Sequence, residues 1–463
     1  MARRDGGVSS EGATVMEVMD RQNTYLAAFE RMERELAASG PPAVHRLRKA
    51  ALARFAELGF PGPRDEEWRF TPIAPLAKVP FHLPSADSPK GATYYLLNHG
   101  EGPGATLLGA NAHQPLHLTG GSTLPKGVLV GSLAEALEKH PHLVKPHLGR
   151  YADYERHAFV ALNTAFLRDG LFLYVPPGCV VEEPIFLESL VAAHDDNVPY
   201  AWQRRCLIVL GANAQAVVVE SFCGLPGLTY LTNAVTEVVV GESAVLDHYK
   251  VQTEGDAAFH MAAMQVQIGR AARFSSHAVT QGGQWVRNEI NAVFEGEGGE
   301  CTLNGLYQAG GEQLVDNHTF IDHAYPHCAS HELYKGILDG KARGVFNGKI
   351  YVRQDAQKTD AKQTNQTLLL SDDATINTKP QLEIYADDVK CTHGATVGQL
   401  DAESIFYLRS RGVGLAEARS LLTYAFANDI VSRIKVANVR EELERSLLQA
   451  HHLPAVDAGE EET

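Results

Sequence analysis

Hydrophobic positions fall into three regimes along the chain. From Thr14 to Ala38 they recur at helical spacing, with Val18, Tyr25 and Met32 on one stripe and Phe29 and Leu36 beside it. Ala43–Leu58 repeats the pattern through Val44, Leu47, Ala51, Phe55 and Leu58, and Gly59 and Pro61 supply the stop. The first ~60 residues therefore read as a helical hairpin. Between Leu124 and Ile405 the pattern changes to short β-branched runs, such as Cys206–Leu210, Ala216–Ser221, Ala234–Val240 and Met264–Ile268, with little amphipathic helical periodicity. After Asp401 helical spacing returns. Leu415, Ala418, Leu422 and Phe426 form one face, and Ile430 with Ile434, then Val439, Leu443 and Leu447, carry it to about Gln449.

The turns of the middle region resemble one another. An apolar residue followed by turn and small residues begins at Leu210, Val240, Ile268, Phe294, Leu338 and Leu370, in steps of 30, 28, 26, 44 and 32 residues. The long step reads as an insertion. A quasi-period near 28 predicts a mainly β solenoid of stacked rungs, each burying its inward face on its neighbours. A β-sandwich also has frequent turns, but one of this length would be oversized. The organisation expected is a flexible tail (1–13), a helical N-terminal region (14–75), a connecting segment (76–123), a β-helix core (124–405), a C-terminal helical region (406–449) and a frayed tail (450–463).

Composition narrows the function classes. With 463 residues, 44% hydrophobic and 21% charged, the chain is an ordinary globular protein. A formal charge of −15 opposes phosphate backbones, so nucleic acid is not an expected partner. No run approaches the ~20 apolar residues of a membrane helix. The N-terminus lacks the apolar core of a secretory leader, and the six scattered cysteines form no CxxC pair, so a reducing cytoplasm is the expected compartment.

The common enzyme motifs are missing. Gly340-Lys341 and Gly348-Lys349 lack the spacing and hydroxyl of a phosphate-binding loop, and no HExxH, GxSxG or dinucleotide fingerprint occurs. His318, His323, His327, Cys328 and His331 crowd one segment, and in an extended strand His323, His327 and His331 would share a face. Pro326 interrupts that strand, and a polar ladder or solvated edge explains the tract better than a metal site. The sharper constellation is Asp387, Val389, Cys391 and His393, two apart and so on one face of a strand. A thiol beside an imidazole makes half a site for a soft metal or a sulfur species, to be completed by another chain. The plain alternative is a packed Cys391 and a His393 capping a strand end. Cys206 and Cys179 sit in apolar text and read as inert core thiols, and Trp68, within Arg64–Thr71, as an aromatic anchor between the helical region and the core.

The C-terminal half resembles a known family. The residues that carry the resemblance are His331–Gly336, Gly344–Gly348, Asp360–Asn365, Leu368–Ser371, Lys379–Ile384, the Asp387–His393 strand, Gly394–Gly398 and Ile405–Gly412, with Asp65–Arg69 and Pro184-Ile185 upstream. This text resembles the SufB/SufD family of the Suf iron–sulfur cluster assembly scaffold. Tyr407–Gly412, with no cysteine after the tyrosine, is closer to the SufD branch, as is the lack of an early CxxCxxC. The resemblance implies a right-handed parallel β-helix with helical ends and a non-enzymatic scaffold role. It implies pairing with a SufB-like paralogue, with a homodimer open for the isolated chain. It also implies docking of a SufC-like ABC ATPase on the C-terminal helices, for which Leu415, Ala418, Leu422, Phe426 and Ile430 are the candidates. The cargo would be an iron–sulfur cluster held transiently at the paired interface, with His393 as the metal ligand and Cys391 as a less certain helper. A purely structural solenoid and a carbohydrate-active β-helix enzyme are the competing classes, the latter disfavoured by scattered acids.

Overall fold

The computed structural model describes residues 25–35, 42–62, 64–84, 105–110, 117–119, 124–191, 198–450 and 452–453. The helical start comprises α1 (25–35), α2 (Pro42–Leu58), a one-turn 3-10 helix (Glu66–Trp68) and α3 (Ala74–Lys78). Tyr25, Phe29 and Met32 of α1 are buried, and Tyr25 packs edge-on against Phe55 of α2. Val18 and Leu36 lie outside the described residues.

Next come β1 (Ala105–Ala110), β2 (His117–Thr119), β3 (Leu129–Ser132), the helices α4 (Leu133–Lys139), α5 (Pro141–Val144) and α6 (Ala158–Ala165), β4 (Leu171–Val175) and β5 (Ile185–Val191). The three helices fall inside the segment expected to be β. α6 is buried along almost its whole circumference, which removes the polar stripe that marks a helix in sequence.

From β6 the chain is regular. β6 (Ala201–Leu210), β7 (Gln215–Gly224), β8 (Leu231–Val240), β9 (Val245–Glu254), β10 (Phe259–Ile268), β11 (Arg273–Gly282) and β12 (Trp285–Phe294) each have ten residues. So do β13 (Glu300–Ala309), β14 (Leu314–His323), β15 (Ala329–Leu338), β16 (Arg343–Val352), β17 (Asp360–Leu369) and β18 (Thr375–Ile384), and β19 (Lys390–Gly398) closes the series. Odd strands form one sheet, in the order β19-β17-β15-β13-β11-β9-β7-β5-β1-β2. Even strands form the other, β18-β16-β14-β12-β10-β8-β6-β4-β3. Apart from the β1–β2 and β3–β4 pairs, every pairing among the described residues is parallel. The result is a parallel β-solenoid of about seven turns, two facing sheets with one core between them.

Both faces of many strands are buried, because helices cover both outer surfaces. α1, α2 and α6 lie on the even sheet, over Leu231, Phe259, Trp285 and Leu314. α8 (Leu415–Val431) and α9 (Ala437–Ala450) lie on the odd sheet, over Val219, Tyr249, Val279 and Leu306. Strands buried on both sides read as continuous apolar runs instead of alternating ones. Between solenoid and cover, α7 (Ala402–Ser410) has no buried residue. No helix among the described residues is long and apolar enough to cross a membrane.

The corners explain the repeat. Asn213, Ser243, Ala271, Gly298, His327 and Lys358 all have left-handed backbone, one per turn, 27 to 31 residues apart. Each donates its N–H to the next rung: Asn213 to Glu242, Ser243 to Arg270, Ala271 to Glu297, Gly298 to Pro326, His327 to Gln357 and Lys358 to Asp388. The 44-residue step is therefore not an insertion. Leu338 and Leu370 belong to the opposite column of corners, so that step crosses from one edge of the solenoid to the other.

Candidate functional site

The histidine-rich segment does not assemble. His318 faces outward from β14, His323 faces inward, His327 occupies a corner and His331 is exposed on β15. His323 is fully buried, with Nε2 2.8 Å from Ser330 Oγ, and burial pushes its imidazole down to about 3. The left-handed corner at His327 separates His323 from His331, which is why the face expected of an extended strand is absent. Among the described residues no group of three or more His, Cys, Asp or Glu could by itself hold a metal.

His318 instead pins the N-terminal segment. Its Nε2 lies 2.9 Å from Asp316 Oδ1 and its Nδ1 3.2 Å from Glu67 Oε2. Burial opposes its charge, but Asp316 and Glu67 outweigh this and hold the imidazolium above its ordinary range. Arg287 pairs with Asp316 and Glu289 and lies 3.9 Å over the Trp68 ring, which stacks on Phe159 and Trp285. Trp68 is thus the anchor its segment suggested. The ionic pin around it left no sequence signal, because its members come from different rungs.

The Cys391–His393 pair sits at the end of the solenoid. Among the described residues β19 pairs only with β17, and β18 only with β16, so the stack stops there. Eight of the nine residues of β19 are exposed. Cys391, the exception, packs on a small core with Ile350, Val352 and Ala361. Burial, with Asp360 adding to it, raises its thiol above the ordinary value and so favours the protonated form. Alternation places His393 on the same inward side, one turn of pleat along and open to solvent. Asp387 does not join them. It lies in the exposed corner before β19, where strand alternation has not begun. The neighbouring Asp388 pairs with Lys358 across the corner.

Register extends the site inward. His393 follows Gln363, Glu332 and Leu303 in one inward-facing column. Gln363 and Glu332 are buried, Gln363 Nε2 donates to Glu332 Oε2 at 2.8 Å, and burial pushes the Glu332 carboxyl up to about 7. Sequence reasoning missed both, since only strand register brings them behind His393.

The five C-terminal candidates divide. Leu415 is exposed, Leu422 and Phe426 are half-buried, and Ala418 and Ile430 are fully buried. Ile430 packs on the chain's own odd sheet and is not available to a partner. Phe426 is engaged by Lys335, whose Nζ lies 4.5 Å from its ring and 2.6 Å from Asp429 Oδ2. Of the five, Phe426 and Ile430 are the ones that pack with the cover on the odd sheet. The exposed apolar residues are instead Phe406 (75%), Tyr407, Leu415 and Leu421.

Comparison with known proteins agrees with this architecture. Residues 191–426 match the family model described as SUF system FeS cluster assembly, SufBD core domain. Residues 19–91 and 111–187 match the SufBD protein N-terminal region. The chain belongs to the SufBD family. A SufBD family protein of Synechocystis is 33% identical over 86% of this chain and 88% of its own length. The iron–sulfur cluster assembly protein SufD of Escherichia coli is 29% identical over 85% of this chain and 89% of its own. SufD of Bacillus subtilis is 26% identical over 90% and 95%. SufBD membership places the chain in iron–sulfur cluster assembly.

Proposed function

We propose that this chain is a SufD-type scaffold subunit, without catalytic chemistry of its own, whose open solenoid end pairs with a SufB-like paralogue to form the site where a cluster is built. The observation that carries this is β19, an exposed edge strand that presents His393 at an end no described element caps. Edge strands that stay open are templates for pairing with another chain. One imidazole and one thiol cannot complete a four-coordinate iron site, so ligands from the partner are required by count. His393 would supply a neutral imidazole nitrogen to iron or to the cluster edge. The cluster is cargo, held until transfer, with Cys391 able to join once a bound metal lowers its thiol.

The C-terminal helices would take a SufC-like ATPase through α7 and the first turn of α8, where Phe406, Tyr407 and Leu415 are exposed. α8 is tied to β15 through Lys335 and Asp429. β15 lies in the same sheet as β19, so a pull on α8 by the nucleotide state acts on the sheet that ends at His393. Such a pull shifts the interface only by its differential contact energy in the two states.

The test is co-expression of the tagged chain with its genomic neighbours under anaerobic conditions. A brown complex containing the chain, two ATPase copies and one paralogue is expected. His393→Ala should leave that complex assembled but lower cluster content at least tenfold. A lone colourless chain would return the protein to a purely structural solenoid, and an unchanged cluster content in His393→Ala would remove the ligand role.

A further inference from the structure

Gln363 is buried directly behind His393, and its amide is committed on one side only. Nε2 donates to Glu332 Oε2 at 2.8 Å. An amide carries its donor and its acceptor on opposite branches of one plane, so this bond turns Oε1 away from the acid. Oε1 has no hydrogen-bond partner among the described residues. Buried acceptors without a partner are rare and unfavourable in native proteins. The facing sheet makes room for the amide with a glycine: a Cβ on Gly348 would lie 2.3 Å from Gln363 Nε2 and 2.8 Å from its Cδ. In the direction of the open end, the next residue of the column is His393.

We propose that Gln363 is a positioning residue for His393. Its Oε1 accepts the N–H of one imidazole nitrogen and so leaves the lone pair of the other nitrogen facing out of the solenoid end. Glu332 holds the amide in the orientation that makes this possible. Histidine ligands of metals generally donate their second ring N–H to such an acceptor, which fixes both tautomer and ring orientation. The purpose of the arrangement rests on the reading of His393 as a cluster ligand. The proposed hydrogen bond involves only residues of this chain and can be tested without a cluster.

The experiment uses the full chain labelled with 15N-histidine, a long-range proton–nitrogen correlation spectrum at pH 8, and His393→Asn to identify the signal. His393 should appear as one neutral tautomer. Gln363→Leu should give a mixture of both, and so should Glu332→Leu, which frees the amide to flip. Glu332→Gln, which still accepts from Nε2, should keep the single form. A rigid packing role for Gln363 would not produce this split between two variants of Glu332. If Gln363→Leu does not fold, Glu332→Leu and Gly348→Ala displace the amide without removing it and carry the test. A mixture already present in the unaltered chain, or a single form that persists in Gln363→Leu, overturns the proposal.

In the co-expressed complex, Gln363→Leu should lower cluster content about tenfold or more. Should the tautomer respond as stated while His393→Ala leaves the clusters intact, positioning stands and the ligand role falls. Should His393→Ala abolish clusters while Gln363→Leu alters neither tautomer nor yield, the ligand role stands and positioning falls.

Discussion

Glu237 shows how much one buried side chain can organise. Its carboxylate accepts the backbone N–H groups of Gly149 at 2.8 Å, Arg150 at 3.0 Å, Tyr151 at 2.9 Å and Ala152 at 3.2 Å, and pairs with the Arg205 guanidinium. Breaking a buried ion pair from one side costs about 3–5 kcal/mol. Glu237→Ala should therefore lower unfolding free energy in urea by about that much. The double change Arg205→Leu with Glu237→Leu should fail to recover it, because four backbone donors remain orphaned. Recovery in the double variant would show that the charge pair and not the loop clamp dominates. Glu332 gives a pH signature. Its carboxyl titrates near 7 when folded against 4.5 as a free group, so between these values the folded chain holds a proton that the unfolded chain has released. Stability contributed at this site is therefore lost as pH rises through the window, by about 3 kcal/mol in full. Glu332→Gln should match the unaltered chain near pH 4.5 and exceed it at pH 8, and equal urea midpoints at both pH values would refute the burial argument. At this scale the shared strand face of His393 and Cys391 was legible from spacing, while their candidate role came from the family resemblance. Glu332 and Gln363 were not, because each stands in an alternating strand like any other polar residue until register sets it behind His393.

The strands interlock through paired large and small residues. Tyr334 of β15 lies over Gly305 of β13, and Tyr307 of β13 lies over Gly336 of β15. A Cβ on Gly305 would come within 2.3 Å of the Tyr334 ring. Gly298 is different: it holds a left-handed corner at φ 71, and the nearest atom to an added Cβ is 4.0 Å away. Gly298→Ala should thus cost only the backbone penalty, about 1 kcal/mol. Gly305→Ala should cost about 1–3 kcal/mol or more, since a packed interior must shift. Thermal unfolding of the two single variants separates them, and a larger loss at Gly298 would contradict the assignment of strain and crowding. The β-branched runs announced these strands, and four of the six corner motifs fell on one column. The switch to the other column was invisible because both edges use the same Gly, Asp and Ala chemistry. α6 was hidden for the reason that reveals most helices, as its burial leaves no polar face to set the period.

As a whole the molecule is asymmetric along its axis. Helices cover both outer faces of the solenoid, while among the described residues nothing covers the end at β18 and β19. Of the ten large hydrophobic side chains that are exposed among the described residues, seven lie between Ile384 and Leu421. The helix–solenoid–helix order was legible in the change of hydrophobic period. Which end stays open was not, because it depends on where pairing stops and on what the terminal helices cover. Repeat stacks need a cap or a partner at an end whose last rung is apolar. Val397 is a large apolar side chain of β19 on the face between the sheets, 45% exposed, in register with Thr367. An arginine there would be solvated in the isolated chain but stranded in a paired one. Val397→Arg should change the unfolding free energy of the isolated chain by less than about 0.5 kcal/mol. It should also weaken pairing, with the paralogue or with a second copy, at least tenfold by co-elution across a dilution series. Val180→Arg, at an equally exposed apolar residue far from that end, is the control and should leave pairing unchanged. If both variants pair normally, the open end is not the interface, and the contact must be sought on α7 and the exposed start of α8 instead.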